Sequence, residues 1–210
     1  MSDRFIATKQ HRRFIKFADA IKRNATIGLC YGAAGVGKTL SARRYSRWDG
    51  ADDVFNDPYQ HVFDNPEVNT ALHRSRSVFY TPAVSDTPKN VAADIRQLLN
   101  NADTAIEEHA RRKEPKPLII TGPHPRQVRL RVIDEAERLN PTALEHIRDR
   151  YDRENIGVIL IGMPGIERRF SRYPQLYSRV GFAHHYTALT GDELHFVLTR
   201  HWRKFGADLD

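Results

Sequence analysis

The sequence predicts a three-layer α/β domain, a parallel sheet flanked by helices, and three observations predict it. Gly32-Ala33-Ala34-Gly35-Val36-Gly37-Lys38-Thr39 fits G-x-x-x-x-G-K-[ST] and follows the apolar run Thr26-Ile27-Gly28-Leu29-Cys30-Tyr31. A strand before this motif and a helix after it form the setting that a phosphate-binding loop requires. A second apolar run, Val132-Ile133, ends in Asp134-Glu135. Along the rest of the chain, short apolar runs alternate with amphipathic stretches of helical period, the pattern of a parallel sheet whose crossovers are helices.

Each element follows from local signals. Thr8 is an N-cap for a helix to about Lys22, with Phe14, Phe17, Ala18 and Ile21 on one face. Residues 26–31 form a strand, and a helix runs from Thr39 to Trp48. Asp49 to Ser75 carries Asp-Asp, Asn-Asp-Pro and Asn-Pro breakers without a steady period, which predicts a long loop with one helical turn. Val78 to Thr81 is a strand. Asp86-Thr87-Pro88 opens a helix with proline in its first turn and Val91, Ala92, Ile95, Leu98 and Leu99 as its apolar stripe. The basic linker 111–117 leads to a short strand at Leu118–Thr121, a turn through Pro125 and a strand at Val128–Ile133. Asn140-Pro141 caps a helix to about Tyr151. Gly157 to Ile161 is wholly apolar, suited to a strand covered on both faces. Phe182 to Tyr186 is the last strand. Thr190 opens a closing helix with Leu194, Val197, Leu198 and Trp202 expected inward. Arg129 and Arg131 inside a central strand are unusual, and suggest a face that reaches solvent or nucleic acid.

Composition sets the bounds. A chain of 210 residues with 40% apolar residues suits one domain with a core. The balance of 33 Lys and Arg against 26 Asp and Glu, a net +7, favours a polyanionic partner. Cys30 is the single cysteine, so no internal disulfide can form and a reducing cytoplasm is expected. No apolar run is long enough to span a bilayer, and the N-terminus carries no apolar signal region. His184-His185 lacks a second ligand pair at metal-binding spacing.

The two motifs imply specific chemistry. Glycines 32, 35 and 37 let the backbone wrap phosphates and point N–H groups at them, with Val36 and Leu40 completing the loop's surroundings. The helix after the loop directs its positive end at the anion. Lys38 reaches the β- and γ-phosphates of ATP, and Thr39 holds Mg²⁺. Asp134 at a strand end would hold Mg²⁺ through water, and Glu135 would orient and deprotonate the attacking water as general base. A glutamate directly after that aspartate distinguishes ATP hydrolases from most small P-loop kinases. It fits the branch in which an additional strand, here Val158–Ile161, lies between the strands carrying the two motifs. Gly162 and Met163 at that strand's end are poor γ-phosphate sensors. In ring-forming ATPases, arginines before the last strand act on a neighbour's phosphates; Arg179 is the first candidate here and Arg172 the second.

Four segments together carry a family resemblance: Cys-Tyr-Gly-Ala-Ala-Gly-Val-Gly-Lys-Thr at 30–39, Val-Ile-Asp-Glu-Ala-Glu-Arg-Leu at 132–139, Leu-Ile-Gly-Met-Pro-Gly-Ile-Glu-Arg-Arg-Phe at 160–170 and Arg-Tyr-Pro-Gln-Leu-Tyr-Ser-Arg-Val-Gly-Phe at 172–182. From about Ile6 to Trp202 the chain resembles the AAA+ ATPases of DNA transposition, the TniB/TnsC group related to the phage Mu B protein. The resemblance implies an ATP- and Mg²⁺-dependent ATPase that assembles on double-stranded DNA as rings or helical filaments. It also implies recruitment of a DDE transposase, with a TniQ-type adaptor, and no membrane partner. By position, Lys89 and Arg96 would face the DNA, with Arg111, Arg112 and Lys113 behind them. Family members continue into a helical lid. Here residues 1–189 are expected to form the nucleotide-binding domain and 190–210 the start of a truncated lid. Competing readings are a helicase loader or initiator, a nucleotide-switched interaction module, and a small kinase, which Glu135 and the Arg172–Arg179 segment disfavour.

Overall fold

A computed structural model describes residues 5–56, 64–114 and 126–204, with side chains through residue 201. The expected strand at 118–121, its flanking linker and turn, the side chain of Trp202 and the last six residues lie outside the described residues.

Helix α1 (Lys9–Asn24) starts where the Thr8 hydroxyl accepts the His11 N–H at 3.1 Å, and stops where Ala25 turns left-handed. Its stripe of Phe14, Phe17, Ala18 and Ile21 is buried against the sheet. Strand β1 (Ile27–Tyr31) passes directly beneath it. At Gly28 a Cβ would lie 2.0 Å from Ile21 Cδ1, so only glycine permits this approach. The phosphate-loop motif then leads into α2 (Lys38–Ser46).

Residues 49–75 differ from the expected loop. They hold α3 (Ala51–Asn56) and α4 (Pro66–Ser75). The Asn-Pro pair read as a breaker is a helix start, with Asn65 Oδ1 accepting the Val68 N–H at 3.1 Å and Pro66 in the first turn, where its missing N–H costs nothing. Val68 and Leu72 bury one face, and Trp48 and Val54 join the same core.

Strand β2 (Ser77–Tyr80) feeds α5 (Pro88–Lys113), whose N-cap is Thr87. Next come β3 (Leu130–Ile133), a 3-10 turn at Ala136–Arg138, and α6 (Pro141–Glu154), capped by Asn140. Strand β4 (Gly157–Gly162), short helices α7 (Ile166–Phe170) and α8 (Pro174–Tyr177), β5 (Val180–His185) and α9 (Gly191–Lys204) complete the order.

The described strands form one parallel sheet in the order β2-β3-β4-β1-β5. Strand β4 therefore lies between the strands that carry the two motifs, with Ile133 opposite Leu160 and Cys30 opposite Ile161. The apolar runs explain the positions: β4 is buried throughout, whereas β5 is an edge strand with Phe182 exposed.

Two expectations are corrected. Arg131 does not reach solvent or a partner; it is 2% exposed, and Glu154 at the end of α6 closes over it with Oε2 3.2 Å from Nη2. Burial pulls its pKa down to about 10, which the Glu154 carboxylate opposes. Arg129 does face outward. On α9, Leu194 and Leu198 are exposed rather than inward, and of the expected four only Val197 is seen half-buried, the Trp202 side chain lying outside the described residues. Val197 and His201 of this helix line a cavity, while Leu194 and Leu198 stay uncovered among the described residues.

Candidate functional site

The loop between β1 and α2 is shaped by its glycines. Gly35 and Gly37 have φ of 74° and 101°, a region costly for other residues. Gly37 is also the N-cap of α2 and offers no side-chain cap. By contrast, Thr8, Asn65, Thr87 and Asn140 cap α1, α4, α5 and α6 with their own oxygens. The first turn of α2 has no acidic residue either, so its N–H groups and positive dipole end are left for an anion. Lys38 is buried and donates from Nζ to the carbonyls of Gly32 and Ala33, both at 2.7 Å. The loop thus holds the ammonium at its own centre. Val36 is half-buried and Leu40 is 57% exposed on the outer side.

The second motif meets the first across the sheet. Asp134 leaves the end of β3, and its N–H is held by the Tyr80 carbonyl at 2.9 Å. Its Oδ2 accepts the Thr39 hydroxyl at 2.6 Å, and Oδ1 accepts the Glu135 N–H at 2.9 Å. Burial pushes the Asp134 carboxyl up from its ordinary pKa, while those two hydrogen bonds hold it down. Glu135 adopts a left-handed backbone, with φ 48°, which turns its side chain away from the strand. There it pairs with Arg138, which also donates to the Pro82 carbonyl at 2.7 Å.

At the end of β4, Gly162 and Met163 supply no polar side chain. Glu137 does: a Cβ on Gly162 would lie 2.7 Å from its Oε2, a buried oxygen without a hydrogen-bond partner among the described residues. Sequence reasoning passed over Glu137, although its place two residues after Glu135 in the same motif was the available signal.

Beside the loop lies a cavity of about 750 Å³, within the range of small-molecule sites. Its walls come from three parts of the chain: Phe5 and Ile6 before α1, Val36 and Leu40 at the loop, and Val197 of α9. In its floor the Tyr186 hydroxyl meets Ser41 Oγ at 2.7 Å. The N-terminal segment and Tyr186 carry no motif, so only the folded chain reveals them as part of the site.

These residues fit a magnesium–nucleotide. The loop offers a buried ammonium and an uncapped helix start for phosphates. Thr39 and Asp134 offer hard oxygen ligands 2.6 Å apart. The cavity has apolar walls for a flat base.

The other candidates are placed elsewhere. The Arg179 guanidinium grips Asp152 of α6 with two hydrogen bonds, of 2.6 and 2.8 Å. Its carbonyl accepts the Ile27 N–H at 3.2 Å, at the start of β1. Lys38 follows the far end of that strand, so the two are separated by about 15 Å of extended backbone. Within one chain, Arg179 and the loop are not brought together. Arg172 is exposed and has no side-chain partner among the described residues. Lys89 and Arg96 are exposed on α5, two turns apart. Arg111 and Arg112 both pair with Glu108, leaving Lys113 exposed. His184 packs on Phe14 and Phe17, and His185 stacks on Tyr31. No helix among the described residues is long and apolar enough to cross a membrane.

Comparison with known proteins agrees with this geometry. The chain is 37% identical over 213 residues to a potential ATP-binding protein of Staphylococcus aureus, covering 98% of this chain and 75% of the relative. In fold it resembles the ORC2 protein of Aeropyrum pernix, solved as ADPNP–ADP complexes, with TM-score 0.54, 14% identity and 94% of this chain covered. It also resembles the ORC1 protein of Aeropyrum pernix, solved in complex with DNA, with TM-score 0.56, 17% identity and 96% covered. The chain spans about half the length of these two structures, 53% and 50%. The family model described as AAA domain matches residues 21–170, which contain Lys38, Thr39, Asp134 and the strand between their two motifs, and the chain accordingly belongs to this family of P-loop ATPase domains.

Proposed function

We propose that this chain is an ATP-dependent, DNA-binding AAA+ regulator of transposition, which oligomerises on target duplex DNA and recruits and stimulates a DDE transposase, with a TniQ-type adaptor as a further partner. The observation that carries the ATPase part is the Thr39–Asp134 pair beside a buried Lys38. The transposition part rests on the 160–170 and 172–182 segments and their family resemblance.

In this reading Lys38 exchanges its two loop carbonyls for phosphate oxygens, and the first-turn N–H groups of α2 hold the remaining phosphate oxygens. Thr39 and Asp134 hold Mg²⁺, which when bound neutralises developing phosphate charge. Glu135 takes a proton from the attacking water, its carboxylate oriented by Arg138. Glu137 presents a carboxylate oxygen at the end of β4, where a sensor is expected. Arg179 acts on a neighbouring subunit's phosphates after giving up Asp152. Helix α9 is the beginning of the lid, and residues 1–189 are the nucleotide-binding domain.

Lys89 and Arg96 present two cations on one face of α5, and a ring or filament would align many copies along a duplex. An initiator-like role is the second reading. It shares the ATP chemistry, and the ORC1 protein of similar fold was solved in complex with DNA.

Electron microscopy of the protein with ATP, Mg²⁺ and duplex DNA tests the assembly. Rings or filaments that require both ATP and DNA support the proposal. Monomers under all conditions would sink it. Stimulation of the companion transposase, against loading of a replicative helicase, separates the two readings.

A further inference from the structure

The ends of α4 and α5 converge on a pair of histidines. The rings of His73 and His109 lie 4.5 Å apart, tilted by 33°, and both are half-buried. The Thr70 hydroxyl determines which nitrogen of His109 carries a proton. That hydroxyl has one hydrogen, which it donates to the Pro66 carbonyl at 2.8 Å. It can therefore only accept from His109 Nδ1, 3.1 Å away. Neutral His109 is the Nδ1–H tautomer, and its Nε2 is the atom that gains a proton.

The charges that act on the two rings are cationic: Arg74 of α4, Arg76 at its C-cap, and Arg112 and Lys113 of α5. Glu108, the acidic neighbour of His109, is paired with Arg111 and Arg112. Arg76 is occupied by the His73 carbonyl and the Gln127 side chain, and Arg112 by Glu108. Arg74 and Lys113 are exposed, with no side-chain partner among the described residues. Partial burial, followed by these cations, depresses both imidazoles below their ordinary pKa. Two rings this close also resist carrying two charges.

We infer that this end of the α4–α5 pair, where His73, Arg74, His109 and Lys113 meet, docks the phosphate backbone of nucleic acid and takes up one proton as it does so. The inference rests on the DNA-binding reading above and assigns that binding a second surface with a built-in pH response. A phosphate opposite Arg74 and Lys113 replaces the repulsion felt by the imidazoles with attraction. The pair then accepts a proton at His109 Nε2 or on His73, and the new N–H⁺ becomes a further phosphate donor. Because the protonated form is favoured in the complex, affinity rises as pH falls through the histidine range.

The test measures fluorescence anisotropy of a labelled random-sequence DNA duplex with the full chain, ATP and Mg²⁺ at constant salt. Wild-type affinity should rise about tenfold from about pH 8 to pH 6. His73→Asn with His109→Asn should bind as wild type at the upper pH and lose most of that rise. Arg74→Glu with Lys113→Glu, both on exposed positions, should weaken binding about tenfold or more at every pH. Wild-type affinity in the Arg74/Lys113 variant, with binding lost in Lys89→Glu/Arg96→Glu, would place the duplex on another face and overturn this inference alone. An undiminished pH response in the double asparagine variant, with its circular dichroism unchanged, would assign the proton uptake elsewhere. No duplex binding by wild type at low salt would overturn the DNA-binding reading itself.

Discussion

The hydroxyl of Thr39 donates to the carboxylate of Asp134 at 2.6 Å, although the two residues are 95 positions apart. Thr39 lies in the first turn of α2, which follows β1, and Asp134 follows β3, with β4 between those two strands. The contact sets both oxygens near Lys38, whose charge acts on the Asp134 carboxylate.

Lys38→Ala removes the cation that the loop centres on its own Gly32 and Ala33 carbonyls. ATP affinity measured by calorimetry should fall about a hundredfold, the equivalent of a lost charge-assisted hydrogen bond to phosphate. Unchanged affinity would remove the loop from the nucleotide site.

Glu135→Gln keeps the side chain's size and one oxygen but cannot accept the water's proton. Nucleotide binding should persist while turnover drops by about 10² to 10⁴. The Arg138 contact should weaken with the charge. A turnover equal to wild type would put the base elsewhere, with Glu137 the next residue to substitute.

Arg179→Ala should cut ATPase activity by about 10³ if the guanidinium serves a neighbour. Monomer nucleotide binding should change little, since Arg179 is bound to Asp152 at the other end of β1. Mixing this variant with Lys38→Ala should restore activity at interfaces that pair an intact arginine with an intact loop. If assembly is normal and no rescue occurs, the trans role passes to Arg172.

Folding stability should rise with pH across the histidine range. His11, His73, His109 and His184 all have pKa values lowered in the folded chain, burial being the first cause at each. The unfolded chain then binds more protons than the folded one, so stability is lost as pH falls through the unfolded-state value. His184 is the clearest contributor: its Nε2 is buried with no hydrogen-bond partner among the described residues, and its ring packs on Phe17 at 5.5 Å. His184→Phe should flatten the dependence of Tm on pH. A slope identical to wild type would exclude His184 as a source.

The sequence alone determined the parts of this protein whose physics is local. The glycine spacing and Lys38 specify the loop, since few other patterns let a backbone wrap an anion before a helix. The apolar runs at β1, β3 and β4 and the helix starts at Thr8, Thr87 and Asn140 were legible, because side-chain period and capping chemistry act over a few residues. The place of β4 between the motif strands was implied by the ATPase branch that Asp134-Glu135 fits, not by local pattern.

Only the tertiary structure decided what depends on distant neighbours. Arg131 could be read as exposed until the end of α6 supplied Glu154. Residues 49–75 look like breakers until Asn65 and Pro66 are seen starting a helix that packs on α5. The apolar period of α9 predicts burial, but Leu194 and Leu198 are exposed among the described residues. The cavity beside the loop joins Phe5, Leu40 and Val197 from distant parts of the chain. Burial, ion pairing and cavity walls arise from contacts between segments, and a linear pattern records only the surface each segment brings to them.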